Sequence, residues 1–324
     1  MKRILLLGIS FWVFLVCATA QNALSLADIN IRDPFIYADE TTQTYYMYSS
    51  VTSKVSSCGG SRGGVMVYKS KDLKSWNSPT EVMVLPEDNW ITGKIWAPEM
   101  HCYKGKYYLF ATVNTDLIWK GGLNGGCSYT WRGTQIFWSD SPEGPFQTFD
   151  DKMPVTPFDE MALDGTLWVE NGKPYMCYCH EWIQANDGEV KLLPLKEDLS
   201  GADGLSVRLF CASAAPWVEK KNTMVTDGPF LYRNKVGRLL MIWSSFTGSG
   251  YAVGLASSVT GKVVGPWKQH EQPLYTKHGG HAMLFRDFSG QLHMVLHAPN
   301  SPGGAERAVL LDVEETADGL EVRE

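Results

Sequence analysis

The chain has 324 residues, 44% of them hydrophobic and 20% charged, with a formal net charge of −6. That is enough apolar material for a sizeable core. A mildly acidic sequence without basic runs excludes nucleic acid and anionic membrane surfaces as natural partners, because neither phosphate nor acidic headgroups would be attracted.

Lys2 and Arg3 precede an apolar run over residues 4–16, followed by Ala18-Thr19-Ala20. This is the pattern of a secretory signal peptide, and the run is too short to span a bilayer. Residues 1–20 are therefore expected to be a processing segment, with residues 21–324 as one domain and the product secreted or periplasmic. Lipid attachment at Cys17 is the weaker alternative, since Val16 is not a small residue. Beyond Cys17 the cysteines are Cys58, Cys102, Cys127, Cys177, Cys179 and Cys211. Export permits disulfides, and Cys58 and Cys127 sit in glycine-rich loops where a bridge is plausible. Cys177 and Cys179 alternate in a strand-like run and read as buried thiols facing one side. No cysteine spacing matches a zinc site.

No long stretch has helical period. Short β-rich runs separated by Gly, Asn, Asp and Pro turns follow one another instead. In chain order, residues 35–37, 44–49 (TYYMYS) and 65–70 form a first group, and 99–103, 106–112 (KYYLFAT) and 134–139 a second. The third, fourth and fifth are 166–169, 174–179 (PYMCYC) and 190–195; 230–232, 239–245 (LLMIWSS) and 252–257; 282–285, 291–297 (QLHMVLH) and 308–313. Each group reads as strand, turn, strand, loop, strand and a weaker fourth strand. The units begin near Asp33, Pro98, Asp164, Asp227 and His281. Repetition at this period in an all-β chain predicts a five-bladed β-propeller, four-stranded antiparallel sheets around a central channel, which leaves only short protected edges. The first strand of each blade would line that channel, and its start would open on one face.

Three blade starts carry an aspartate: Asp33-Pro34, Asp164-Gly165 and Asp227-Gly228. Singly, each is an ordinary turn dipeptide. Together, at equivalent blade starts, they would gather at one mouth. Glycoside hydrolysis needs one carboxylic acid for the leaving oxygen and one carboxylate as base or nucleophile, and a third carboxylate nearby can raise the acid's pKa. Trp96 and Trp182 are candidates for stacking on a sugar ring, Phe35 for an apolar wall beside the reacting carbon, and Glu99 for a supporting role. Residues 51–64 and 113–133, the latter with Trp119 and Trp131, look able to close one end of a groove and favour removal of single terminal sugars.

The motifs RDPFI (32–36), WAPEM (96–100), LDGTLW (163–168), TDGPFLY (226–232) and GGHAMLFRD (279–287) together resemble glycoside hydrolase family 43, over essentially the whole chain from Asp28 to about Val313. The resemblance implies a five-bladed propeller and an inverting mechanism. It makes Asp33 the general base, Asp164 the residue that tunes and orients the acid, and Asp227 the occupant of the general acid's place. The family's acid is usually Glu in an E-G-P phrase, and Asp is one methylene shorter. Either a backbone shift restores its reach, which is the expectation adopted, or another residue such as Glu181 donates the proton, or activity is weak. An equivalent His in the family often holds a water or a hydrated calcium, so His281 is expected at the channel as a substrate contact or beside a structural Ca2+. No cofactor is required for the chemistry.

The expected activity is release of α-L-arabinofuranosyl units from plant polysaccharide or its oligosaccharides, by a monomer without a transmembrane segment. β-Xylosidase, endo-arabinanase and exo-galactosidase activities share the same residue pattern. The shortened acid also leaves open a non-catalytic sugar-binding propeller. A retaining fructan hydrolase is disfavoured, because its W-M-N-D-P-N-G phrase is replaced here by Ile31-Arg32-Asp33-Pro34-Phe35.

Overall fold

The computed structural model describes residues 23–53, 62–85, 91, 94–121, 128–150 and 153–323. The expected leader, Cys17, Cys58 and Cys127 lie outside the described residues. Five four-stranded antiparallel meanders follow one another. Blade 1 is β1 (Phe35–Asp39), β2 (Thr44–Ser53), β3 (Arg62–Ser70) and β4 (Thr80–Val84); blade 2 is β5 (Ile95–Tyr103), β6 (Lys106–Lys120), β7 (Tyr129–Ser139) and β8 (Gln147–Thr148). Blade 3 is β9 (Ala162–Glu170), β10 (Lys173–His180), β11 (Glu189–Pro194) and β12 (Val207–Cys211), with a one-turn helix α1 (Trp182–Ala185) after β10. Blade 4 is β13 (Asp227–Arg233), β14 (Leu239–Thr247), β15 (Gly250–Ser258) and β16 (Trp267–Gln269); blade 5 is β17 (Gly280–Arg286), β18 (Leu292–Ala298), β19 (Arg307–Glu315) and β20 (Leu320–Arg323). The inner strands β1, β5, β9, β13 and β17 contact one another in succession and β17 contacts β1, so the ring closes.

The near-continuous apolar second strands follow from this stacking. A strand covered on both faces has no solvent side, so it loses the polar half of its alternation. In β14, Leu239, Met241 and Trp243 enter the core shared with blade 3, while Leu240 and Ile242 enter the core shared with blade 5. All five are at most 1% exposed. Burying one such side chain contributes about 1.5–3 kcal/mol, so a charge anywhere along this strand would separate two blades. Cys177 and Cys179 are fully buried in the core between blades 3 and 4, and neither is bridged.

The segment before β1 laces the last blade to the first. Asn30 pairs with Arg307 of β19, Ile31 N–H donates to Glu306 O at 3.2 Å, and the Asn30 side chain donates to Gly304 O and Glu306 O at 2.9 Å each. Closure matters for function because it sets blade 5 beside the residues immediately preceding β1. No helix among the described residues is long and apolar enough to cross a membrane.

Candidate active site

Each blade carries one left-handed residue at or just before the start of its inner strand. The φ angles are 52° at Asp33, 42° at Ala97, 57° at Asp164, 49° at Gly228 and 51° at His281. In blades 2 to 5 this coincides with a register slip of the inner strand against its neighbour. Four of the five residues carry a side chain, and each such position costs on the order of 1–3 kcal/mol. A bulge turns the side chain out of the pleat and into the channel.

The repeat therefore aligns Asp33, Ala97, Asp164, Gly228 and His281. Two expectations need correcting. The second blade's position is Ala97 instead of Pro98, and Asp227 is not equivalent to Asp33 and Asp164. It stands one residue earlier, in the layer of Arg32, Trp96, Leu163 and Gly280. The mouth is thus built from two tiers of residues, and the aspartates are split between them.

Side chains of the preceding blade anchor the inner tier. The Asp164 amide donates to Thr112 Oγ1 of β6 at 2.9 Å and the His281 amide to Ser244 Oγ of β14 at 2.8 Å, while the Asp33 amide lies 3.3 Å from His297 Nδ1 of β18. The corresponding residue of β10 is Cys179, a weak acceptor. There the Gly228 amide turns instead to the Asp164 carboxylate, 3.1 Å to Oδ2. The departure in blade 4 thereby fixes the orientation of a carboxylate in blade 3.

A cavity of about 290 Å³ is lined by both tiers, Arg32, Trp96, Leu163 and Asp227 above Asp33, Asp164 and His281, together with Ser50, Glu181, Trp182 and Tyr251. His281 Nδ1 stands 3.3 Å from Asp33 Oδ1 and 3.8 Å from Asp164 Oδ2. His297 Nδ1 is 3.1 Å from Asp33 Oδ1, and Arg32 Nε is 3.8 Å away. Tyr251 OH donates to Asp227 Oδ2 at 2.9 Å. Glu181, at the end of β10, accepts from Arg132 Nη1 through both carboxylate oxygens at 2.8 Å. The Arg132 guanidinium lies 4.6 Å from the centre of the Trp96 ring.

These surroundings drive the carboxyls apart. Burial works to raise Asp33, but the charge of His281, the contact with His297 and the charge of Arg32 outweigh it and hold the group well below the usual carboxylate range. Burial pushes Asp164 up to about 8, with Asp227 and Asp33 adding repulsion against the attraction of His281. Asp227 is also raised, mainly by burial and despite His281 and Tyr251. For Glu181, burial and the nearby Asp227 outweigh Arg132 and give about 7. His281 loses by burial, yet Asp33, Asp164 and Asp227 keep its pKa above the ordinary value. At neutral pH the site thus combines a charged base in Asp33 with a proton held among its neighbouring carboxyls, the division that general acid–base chemistry needs.

Of the residues expected from sequence, Asp33, Asp164, Asp227, Trp96, Trp182 and His281 are brought together around this cavity. Phe35 is not. It is buried beneath the mouth, edge-on to His101 at 5.3 Å and tilted against Phe230 at 6.4 Å, because β1 turns it into the core. Glu99 is buried away from the cavity against His101 Nε2 at 3.1 Å. Among the described residues no group of three or more His, Cys, Asp and Glu side chains is arranged to hold a metal ion, and His281 Nδ1 is turned onto two carboxylates. No step is routed through a metal. Arg32, Ser50, Leu163, Tyr251 and His297 were missed. Arg32 adjoins Asp33 in the chain, and Tyr251 follows a Gly-Ser-Gly turn, but their neighbours belong to distant blades and leave no local signal.

Comparison with known proteins agrees with this architecture. The model of glycosyl hydrolases family 43 matches residues 27–320. The crystal structure of an endo-arabinase from Bacteroides thetaiotaomicron superposes with a TM-score of 0.79 and 36% identity, covering 91% of this chain and 98% of that one. An extracellular exo-α-(1→5)-L-arabinofuranosidase of Streptomyces chartreusis is 26% identical over 189 residues, 56% of this chain and 53% of that protein. An α-L-arabinofuranosidase 43 of Humicola insolens is 22% identical over 272 residues, 80% of this chain and 51% of that protein. The chain spans about half the length of these two curated relatives. With a ring of five blades, a carboxylate-lined mouth and a family match along nearly its whole length, this chain belongs to glycosyl hydrolases family 43.

Proposed function

We propose that the protein is a secreted or periplasmic inverting glycosidase that removes terminal α-L-arabinofuranosyl units from plant polysaccharide side chains or their oligosaccharides. The observation that carries this reading is the pair of left-handed aspartates, Asp33 and Asp164, both beside His281 and with opposite protonation preferences. Asp33 activates water for attack on the anomeric carbon. Asp164 keeps its proton through neutrality and aligns the mouth through the Gly228 amide. Trp96 and Trp182 offer apolar faces to the sugar's C–H groups. A cavity of about 290 Å³ lies at the small end of ligand sites, which favours one terminal unit over a long bound chain.

The test is a panel of aryl glycosides with the purified protein, α-L-arabinofuranoside against β-D-xylopyranoside and galactosides. NMR of the first-formed product gives the anomeric outcome. Preferential turnover of the arabinofuranoside with inversion is expected; no turnover of any glycoside, or retention, sinks the proposal. The similarity to a protein described as an endo-arabinase favours one second reading, internal cleavage of arabinan. Product lengths from linear arabinan separate the two, monomer for exo action and mixed oligomers for endo action.

A further inference from the structure

We infer that Glu181, and not Asp227, delivers the proton to the departing glycosidic oxygen. The inference rests on the glycosidase reading above and assigns the one role which that reading leaves open. Asp227 holds the acid's place in the family's phrase, but its side chain is one methylene short and its Oδ2 is tied by the Tyr251 hydroxyl at 2.9 Å. It belongs to the cluster around His281, where burial and Asp33 raise its pKa against the pull of His281, Tyr251 and Arg32.

Glu181 enters the same cavity just after β10, close enough to Asp227 for their charges to interact. Its backbone is fixed by its N–H, which donates to Met161 O at 2.8 Å. Among the described residues its carboxyl faces one cation, Arg132 Nη1, equidistant from both oxygens. Arg132 is itself held by Thr130 Oγ1 at 2.9 Å and lies over Trp96, so the cation is pre-positioned. A proton donor gains charge as it reacts, and a fixed guanidinium stabilises the carboxylate that is left behind. Asp227 nearby opposes that charge beforehand, and the balance leaves Glu181 able to hold a proton near neutrality.

The step is balanced. As the C1–O bond breaks, its electron pair passes to the leaving oxygen, which takes the Glu181 proton. Water attacks C1 from the opposite face and gives its proton to Asp33. Glu181 ends as a carboxylate against Arg132, and Asp33 as the acid. Exchange of one proton with solvent restores both.

The experiment compares α-1,5-arabinobiose, whose leaving group needs a proton, with 2,4-dinitrophenyl α-L-arabinofuranoside, whose leaving group does not. Glu181→Gln is expected to lower kcat/KM on the disaccharide by about 10²–10⁴-fold and on the dinitrophenyl substrate by less than about 10-fold. Asp227→Asn is expected to lower both by similar factors. Glu181→Gln leaves Arg132 without its anion, so the Arg132→Gln/Glu181→Gln pair is assayed alongside to remove the stranded charge. A disaccharide rate in Glu181→Gln near wild type overturns the assignment. So does equal loss on both substrates in every folded Glu181 variant, or a leaving-group split seen only in Asp227→Asn. Failure of the wild type on both arabinosides would instead sink the glycosidase reading itself.

Discussion

The starts of blades 1 and 3 are the same structural position with opposite electrostatics. Asp33 and Asp164 both sit at a left-handed backbone position, and both hold their amide against a side chain of the preceding blade. Asp33 nevertheless meets His281, His297 and Arg32, whereas Asp164 shares only His281 and faces two other carboxyls. Backbone repetition delivers two carboxylates to one mouth; the neighbours in adjacent blades decide which is base and which keeps a proton. The repeated backbone sets the position, and most of the environment, His281 and His297 for Asp33 and Asp227 for Asp164, comes from other blades.

That difference predicts unequal mutational costs. Asp33→Asn removes the charged group that accepts water's proton, and kcat/KM on an arabinofuranoside should fall by about 10²–10⁴-fold with thermal stability retained. Asp164→Asn imitates the protonated form that Asp164 already adopts below about 8. Its loss near pH 7 should be on the order of 10-fold, and its alkaline limb should change shape. Equal losses in the two variants would show that the sites are not electrostatically distinct. In the wild type, activity should decline as pH rises through roughly 7–8, where the proton held by Glu181 and Asp164 is lost. The limb belongs to the coupled cluster as a whole.

A third substitution probes the bulges. Gly228→Ala would set a Cβ 2.9 Å from His281 Cγ and Cδ2 on a backbone at φ +49°. It should cost about 1–3 kcal/mol in stability and lower activity by displacing the imidazole between Asp33 and Asp164. Thermal melts and kcat/KM read the two effects separately. Unchanged values in both would mean that the mouth tolerates movement of His281.

The ring and most of the mouth were legible in the sequence, because blade cores leave strong marks. All five second strands were apparent as apolar runs, since stacking on both faces removes their polar half, and β2, β6, β10, β14 and β18 cover them. Asp33, Asp164 and His281 were visible through repetition. The tier that holds Asp227 was not, since a bulge displaces a residue by one position without changing composition. Phe35 looked exposed to the mouth only because it lies two residues after Asp33 in the chain; it is buried against His101 and Phe230 instead. Tyr251 and His297 act through contacts with Asp227 and Asp33 from other strands, 24 and 264 residues away, which no local motif records.

The smallest expected effect tests the interblade origin of the contrast most directly. His297 is fully buried on β18, with Nδ1 on Asp33 and Nε2 3.1 Å from Asn300 Oδ1. It helps hold Asp33 charged without touching Asp164. A base must be ionised to work, so activity is lost as pH falls through the Asp33 pKa. Weakening the support of the charged form raises that pKa and moves the acidic limb toward higher pH. His297→Gln should shift the acidic limb of kcat/KM upward by up to about one unit, equivalent to ~1.4 kcal/mol, and leave the alkaline limb in place. A shift confined to the alkaline limb would place His297 in the environment of Asp164 and erase the distinction between blades 1 and 3.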